Sequence, residues 1–369
     1  MNRVKILAQI GEEIETKMLN LGVWQQRGLT VLVFGLLMLE KAQLSKIAEG
    51  AAEEGSYNTV RQRVKRWVSK ATFPLNAARY DWIRWVWSKY GGSRAVLLVD
   101  ETKLGERFGV MLVSLAYAGR AIPLWWRAYR ANDAEAYPQQ GQVWLIYGLL
   151  AHVLSALPVQ ARPLVQMDRG LAHSSAMLRA LKSLGVDYLV RVKSNARFTS
   201  RNGTSQLLKH WVHVGQSSQV RGTLFDRDHA CTGTICLIWE PGQAEAWCLF
   251  TNRPRQFGHY YAIRWWQEES FRDLGSAGWH WPDSHLICPE RMERLILVMA
   301  IAYAFAISLG VQVWQQPPRL RAETATRDEL PRLSLFQLGL RYLRRVVALV
   351  SPLPLFALAF PAPAFFRRI

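Results

Sequence analysis

Three acidic residues sit where their chemistry can be put to use. Asp100 ends the apolar run Val96-Leu97-Leu98-Val99, Asp168 ends Leu164-Val165-Gln166-Met167, and Glu268 lies in a stretch of helical spacing from Tyr260 to Leu274. A carboxylate leaving a buried strand is held on a rigid element and still reaches solvent, which is the setting a metal-binding acid needs. Taken singly, either aspartate reads first as a turn or N-cap residue. The third acid changes the balance, because Tyr261, Arg264 and Glu268 fall at i, i+3 and i+7 and share one helical face, which Arg272 extends by a turn. Three carboxylates are hard oxygen ligands for divalent cations that act on phosphodiesters. Arg264 and Arg272 have the forked donors that suit phosphate. Glu269 competes for the acidic role but points about 100° away around the helix. Trp265 is a candidate for stacking on a displaced base, although core packing is the role expected of any one of 16 tryptophans.

The elements that must position these residues are legible in outline. The spacing predicts strands over 95–99, 108–118 and 121–129, the last two joined at Gly119-Arg120 as a hairpin, then a helix over 143–157. A buried strand over 163–167, a helix over 174–184 and a strand over 188–192 follow. Three antiparallel strands, a helix, a strand, a helix and a strand describe a ribonuclease H-like mixed sheet, an α/β (α+β mixed) fold. From about 195 to 255 the chain is polar with strand-like pieces at 232–240 and 246–251, which predicts an inserted β-rich segment. Helical spacing returns at 260–274 and 290–309. The run from Leu295 to Leu309 is apolar enough to resemble a membrane span, but Arg291, Glu293 and Arg294 precede it, so it reads as a core helix.

The first ninety residues read as helical, with Gly91-Gly92 a boundary. A helix over 46–54, a turn at Gly55 and a helix over 59–69 have a helix-turn-helix shape. The second helix carries Arg61, Arg63, Lys65 and Arg66 beside Val60, Val64 and Trp67, so one face can pack while the other meets DNA; a solvated basic helix is the equal alternative. Lysine and arginine outnumber acids 46 to 28, for a formal charge of +18, which favours a polyanionic partner through counterion release. Cys231, Cys236, Cys248 and Cys288 lack CxxC spacing and read as reduced structural thiols. No signal-peptide pattern opens the chain, so a cytoplasmic protein with no membrane association is expected. Three regions result: a helical DNA-binding domain at 1–90, a catalytic domain at 91–314 and a C-terminal helical region and tail at 315–369, with an amphipathic piece at 335–350.

Tyr261-x2-Arg264-x3-Glu268 resembles the signature of DDE insertion-sequence transposases whose pattern continues x6-Lys. Asp100-Glu101-Thr102 and Asp168-Arg169-Gly170 are similar to that group's first two acidic motifs, and Pro289-Glu290-Arg291-Met292-Glu293-Arg294 adds to the match. The resemblance implies that Asp100, Asp168 and Glu268 are catalytic and hold two Mg²⁺ ions, with Mn²⁺ able to substitute. It implies Tyr261, Arg264, Trp265 and Arg272 at the DNA, element ends and target DNA as partners, a homodimer at synapsis and a prokaryotic, nucleoid-associated location. At position 275, where the pattern has Lys, this chain has Gly275, which leaves open reduced activity, a decayed copy or compensation by Arg272. Two other readings stand beside a transposase: a ribonuclease H-like nuclease or resolvase, and a transposase-derived DNA-binding protein with impaired catalysis.

Overall fold

The computed structural model describes residues 2–90, 95–131, 133, 141–226, 229–254, 258–315, 324 and 333–349. The boundary expected at Gly91-Gly92 and the tail beyond 349 lie outside the described residues.

One mixed sheet organises the chain. Its strands are β1 (Val96–Leu104), β2 (Phe108–Tyr117), β3 (Arg120–Arg130), β4 (Leu164–Met167), β5 (Asp187–Arg191), β6 (Arg197–Ser200), β7 (Ser205–Leu207), β8 (Gln216–Leu224), β9 (Cys231–Trp239) and β10 (Trp247–Thr251). They lie in the order β3-β2-β1-β4-β5-β10-β9-β8-β6-β7. β1, β4 and β5 are parallel to one another, and every other pairing is antiparallel. The first five strands and their order are consistent with a ribonuclease H-like domain. The inserted segment extends the same sheet: β10 pairs with β5, so four further strands continue beyond it. Burial explains the central strands, since β2 and β4 are buried at every position and read as continuous apolar runs.

Among the described residues, α-helices accompany this sheet as α1 (Asn2–Lys17), α2 (Val23–Leu39), α3 (Leu44–Gly50), α4 (Tyr57–Ser69), α5 (Leu75–Tyr90), α6 (Gly141–Ala156), α7 (Ser175–Ser183), α8 (Trp265–Leu274), α9 (Pro289–Gln315) and α10 (Leu335–Leu349). Ser56 caps α4 through the Thr59 amide, and Ser174 caps α7 through the Met177 amide. Among the described residues α9 is long and apolar enough to cross a membrane, and 94% of its most apolar window is buried inside the protein, as expected of a core helix.

The N-terminal helices share the sheet's core rather than standing apart from it. Ile6, Phe34, Trp67 and Trp82 belong to the same apolar cluster as Val99, Val165, Phe305 and Phe336. Buried polar groups reinforce the junction. Arg79 of α5 pairs with Glu293 of α9 at 3.1 Å and stacks over Trp126, while Glu293 also accepts the Ala128 amide of β3 at 2.9 Å. Arg294 donates to the Val68 carbonyl at the end of α4. Glu293 and Arg294 come from the acidic-basic run that opens α9, so part of that motif is a structural clamp.

Candidate active site

Register alone brings the two aspartates together. Val99 of β1 faces Met167 of β4 in parallel pairing, so Asp100 and Asp168 leave adjacent positions at the same edge. Asp100 does not end its strand as expected. β1 runs on to Leu104 because its antiparallel hairpin with β2 continues to Leu104↔Phe108, although its parallel partner stops at Met167. Asp100 thus marks the point where pairing on one side ceases. Asp168 leaves β4 and accepts the Leu171 amide at 3.0 Å, which closes the following turn.

The third acid arrives by a route that differs from one continuous helix. Gly258–Arg264 is a 3-10 segment, and the α-helix begins only at Trp265. Residues three apart eclipse in a 3-10 turn, so Tyr261 and Arg264 still point the same way. Tyr261 is buried against Trp247, and its hydroxyl donates to the Met167 carbonyl at 3.0 Å. The Gln166 side-chain amide donates to the Tyr260 carbonyl at 3.0 Å. These two bonds pin the 3-10 segment to the last two residues of β4.

The opposite face of α8 is fixed by a second set of bonds. Trp266 packs on Val96, Leu98 and Ala121, so α8 lies on the sheet face from which Asp100 projects. The Ser270 hydroxyl accepts the Ala121 amide at 2.7 Å, and Asp273 pairs with Arg120 and accepts the Tyr303 hydroxyl at 2.9 Å. With both faces anchored, Glu268 is held over the aspartates in the first turn of α8.

At the centre of the three acids lies one guanidinium. Arg264 donates to Asp100 at 2.8 Å and to Glu268 at 3.2 Å, and stands 3.9 Å from Asp168. Three carboxylates therefore converge on a single cation, leaving an excess of acid. The Asp100 carboxyl is pushed up to about 7 on balance: burial raises it most, Arg264 and the Glu101 amide oppose the rise, and Glu268 and Asp168 add to it. The donor set fits divalent cations, since it supplies hard oxygens and uncompensated negative charge. Among the described residues no three His, Cys, Asp or Glu side chains are already spaced around an empty metal position. Arg264 lies between them instead.

The remaining expected residues are placed as follows. Trp265 is 62% exposed beside the acids. Arg272 is exposed and pairs with Glu269 at 2.9 Å. Tyr261 is buried, so its hydroxyl is committed to the backbone and not presented to DNA. On α4, Arg61, Lys65 and Arg66 are exposed, whereas Arg63 turns back to Glu54 at 2.6 Å and closes the helix-turn-helix corner. Sequence spacing missed Arg169 and Arg191, which both pair with Glu245 of the inserted sheet beside Asp168. Arg169 directly follows an acidic motif, which was the available signal.

Gly275, at the position of the signature lysine, ends α8 by donating to the Phe271 carbonyl at 2.8 Å. A Cβ there would lie 2.8 Å from that same carbonyl oxygen. The helix therefore ends at Leu274 with Gly275 as its C-cap, and a side chain at 275 would crowd the last turn.

In this mixed α/β domain two carboxylates leave adjacent parallel strands and a third reaches them from α8. The family model for the transposase DDE domain matches residues 109–305, more than half of the chain, and the chain belongs to that family. The match includes Asp168 and Glu268, and begins after Asp100. Among curated proteins no match was found.

Proposed function

We propose that this protein is an insertion-sequence transposase that cleaves DNA at the ends of its element and joins the 3′-ends to target DNA. The observation that carries the reading is the convergence of Asp100, Asp168 and Glu268 within 4 Å of one guanidinium, from three separate elements. In this reading the three acids hold two Mg²⁺ ions, replaceable by Mn²⁺. When bound, such ions activate a water or 3′-hydroxyl and stabilise the leaving oxygen in an in-line displacement.

The chain's own residues do the rest. Asp100 and Asp168 are fixed by strand register, and Glu268 by the two anchored faces of α8. Arg264 grips a backbone phosphate through its fork, and Trp265 offers an exposed ring to a base near the cut. Arg61, Lys65 and Arg66 on α4 meet the element end. Two ends must be synapsed, so the working unit is a homodimer.

Gly275 favours a second reading, a DNA-binding descendant that no longer cuts. The test is cleavage of a labelled duplex carrying the gene's own flanking ends. Nicks at the ends with Mg²⁺ or Mn²⁺, abolished by chelator, support the transposase. Binding of those ends without nicking under either metal supports the second reading.

A further inference from the structure

The position of Arg264 has a consequence for how the acids acquire metal. Its guanidinium takes oxygens of Asp100 and Glu268 and closes on Asp168, the same atoms that a divalent cation would use. The side chain is only 14% exposed, and its Nε is buried without a hydrogen-bond partner. Among the described residues the acids are the partners of its guanidinium, and part of its donor capacity is unmet. Two cations drawing on one set of oxygens compete, and in a site of reduced dielectric their mutual repulsion is strong.

We infer that Arg264 is a resident counter-ion that occupies the acid cluster in the DNA-free protein and must leave before divalent cations enter. The inference rests on the transposase reading of the three acids. The exit is short. Arg264 sits at the junction between the 3-10 segment and α8, next to Trp265, which is 62% exposed, and Glu268, whose side chain is 40% exposed. Rotation about its side-chain bonds carries the guanidinium outward, where a DNA phosphate offers two acceptors in fork geometry and meets the idle Nε. DNA draws the latch out and metal takes its place. Because coupling between two ligands is reciprocal, DNA then raises metal affinity and metal raises DNA affinity by the same factor.

The test is Mn²⁺ binding to the full chain without DNA, read from the paramagnetic signal of free Mn²⁺, for wild type, Arg264→Gln, Arg264→Lys and Asp100→Asn, each checked for fold by circular dichroism. Arg264→Gln removes the competitor and is expected to bind Mn²⁺ about tenfold tighter than wild type, within the usual range for coupled sites. Arg264→Lys keeps a charge but loses the fork, and is expected to fall between the two. Asp100→Asn is expected to lose binding, which places the metal at this cluster. Equal or weaker binding by Arg264→Gln, with Asp100→Asn still deficient, overturns the latch and leaves the metal-ligand reading standing. If Arg264→Gln does not fold, the folded Arg264→Lys decides in the same way. Absence of Mn²⁺ binding in every variant, or binding indifferent to Asp100→Asn, overturns both.

Discussion

The Tyr261 hydroxyl donates to the carbonyl of Met167, the residue immediately before Asp168. One side-chain bond thereby ties the segment that carries Arg264 and Glu268 to the strand that delivers the second aspartate. The tyrosine of the signature is an internal strut. Tyr261→Phe keeps the ring against Trp247 and deletes only the donor. A stability loss of about 1 kcal/mol in urea unfolding is expected, together with a lower cleavage rate at unchanged DNA affinity. Weakened DNA binding at unchanged stability would instead mean that the hydroxyl meets the nucleic acid.

The buried carboxyl of Asp100 makes a pH signature. Burial raises it to about 7 from an ordinary value near 3.8. Between those values the folded state holds a proton that the unfolded state has released, so stability falls as pH rises through this window and is fully present below it. Asn cannot ionise. The stability of Asp100→Asn relative to wild type, without metal, should therefore increase by about 1 kcal/mol or more between pH 5 and pH 8. A difference independent of pH, followed by thermal unfolding across that range, would show that Asp100 stays ionised throughout.

Much of this site was legible because its acids end or interrupt buried apolar runs. Val96 to Val99 and Leu164 to Met167 announce strands, and parallel register then brings Asp100 beside Asp168. Tyr261 and Arg264 lie on a 3-10 segment and Glu268 on the helix that follows, and the helical spacing still relates the first two because over a single turn a period of 3.0 and one of 3.6 put i and i+3 on nearly the same side. What local pattern cannot show is pairing across distance. The strand pieces between 195 and 255 read as an inserted β-rich segment without showing which strand they join: β10 pairs with β5, so the inserted strands prolong the main sheet. Likewise, a helix rich in Arg61, Arg63, Lys65 and Arg66 gives no sign that Arg63 alone is claimed by Glu54. The central place of Arg264 among the acids depends on three elements meeting, so spacing could only suggest a phosphate grip.

The Gly275 position bears on any attempt to restore the signature lysine. Its amide closes α8 on Phe271, and a Cβ would meet that carbonyl at 2.8 Å. Gly275→Lys is therefore expected to cost about 1–3 kcal/mol through strain at the helix end, and not to raise activity. Thermal unfolding beside Gly275→Ala separates backbone strain, which both share, from any effect of the charge. A lysine variant as stable as wild type would show that the helix end adjusts freely.

The buried pair Arg79–Glu293 joins the N-terminal helices to the catalytic sheet. Burial lowers the arginine to about 10, while Glu293 opposes that shift. Arg79→Met removes the buried cation closest to Glu293 and leaves it only the more exposed Arg127 at 3.8 Å, and a loss of about 3 kcal/mol is expected. The double variant Arg79→Met/Glu293→Gln removes both charges and should recover part of that loss in urea unfolding. Strictly additive losses would contradict a coupled pair.

Strand transfer tests the role of the three acids most directly. A duplex bearing the gene's own flanking ends is incubated with target DNA and Mg²⁺, using wild type, Asp100→Asn, Asp168→Asn and Glu268→Gln at matched folding and DNA binding. Wild type should cut the ends and join them, and each substitution should reduce both products by about a hundredfold or more, as expected when a ligand of the reacting metal is lost. Cutting and joining that persist when any one of the three carboxylates is neutralised would contradict the assignment of that residue to the catalytic centre.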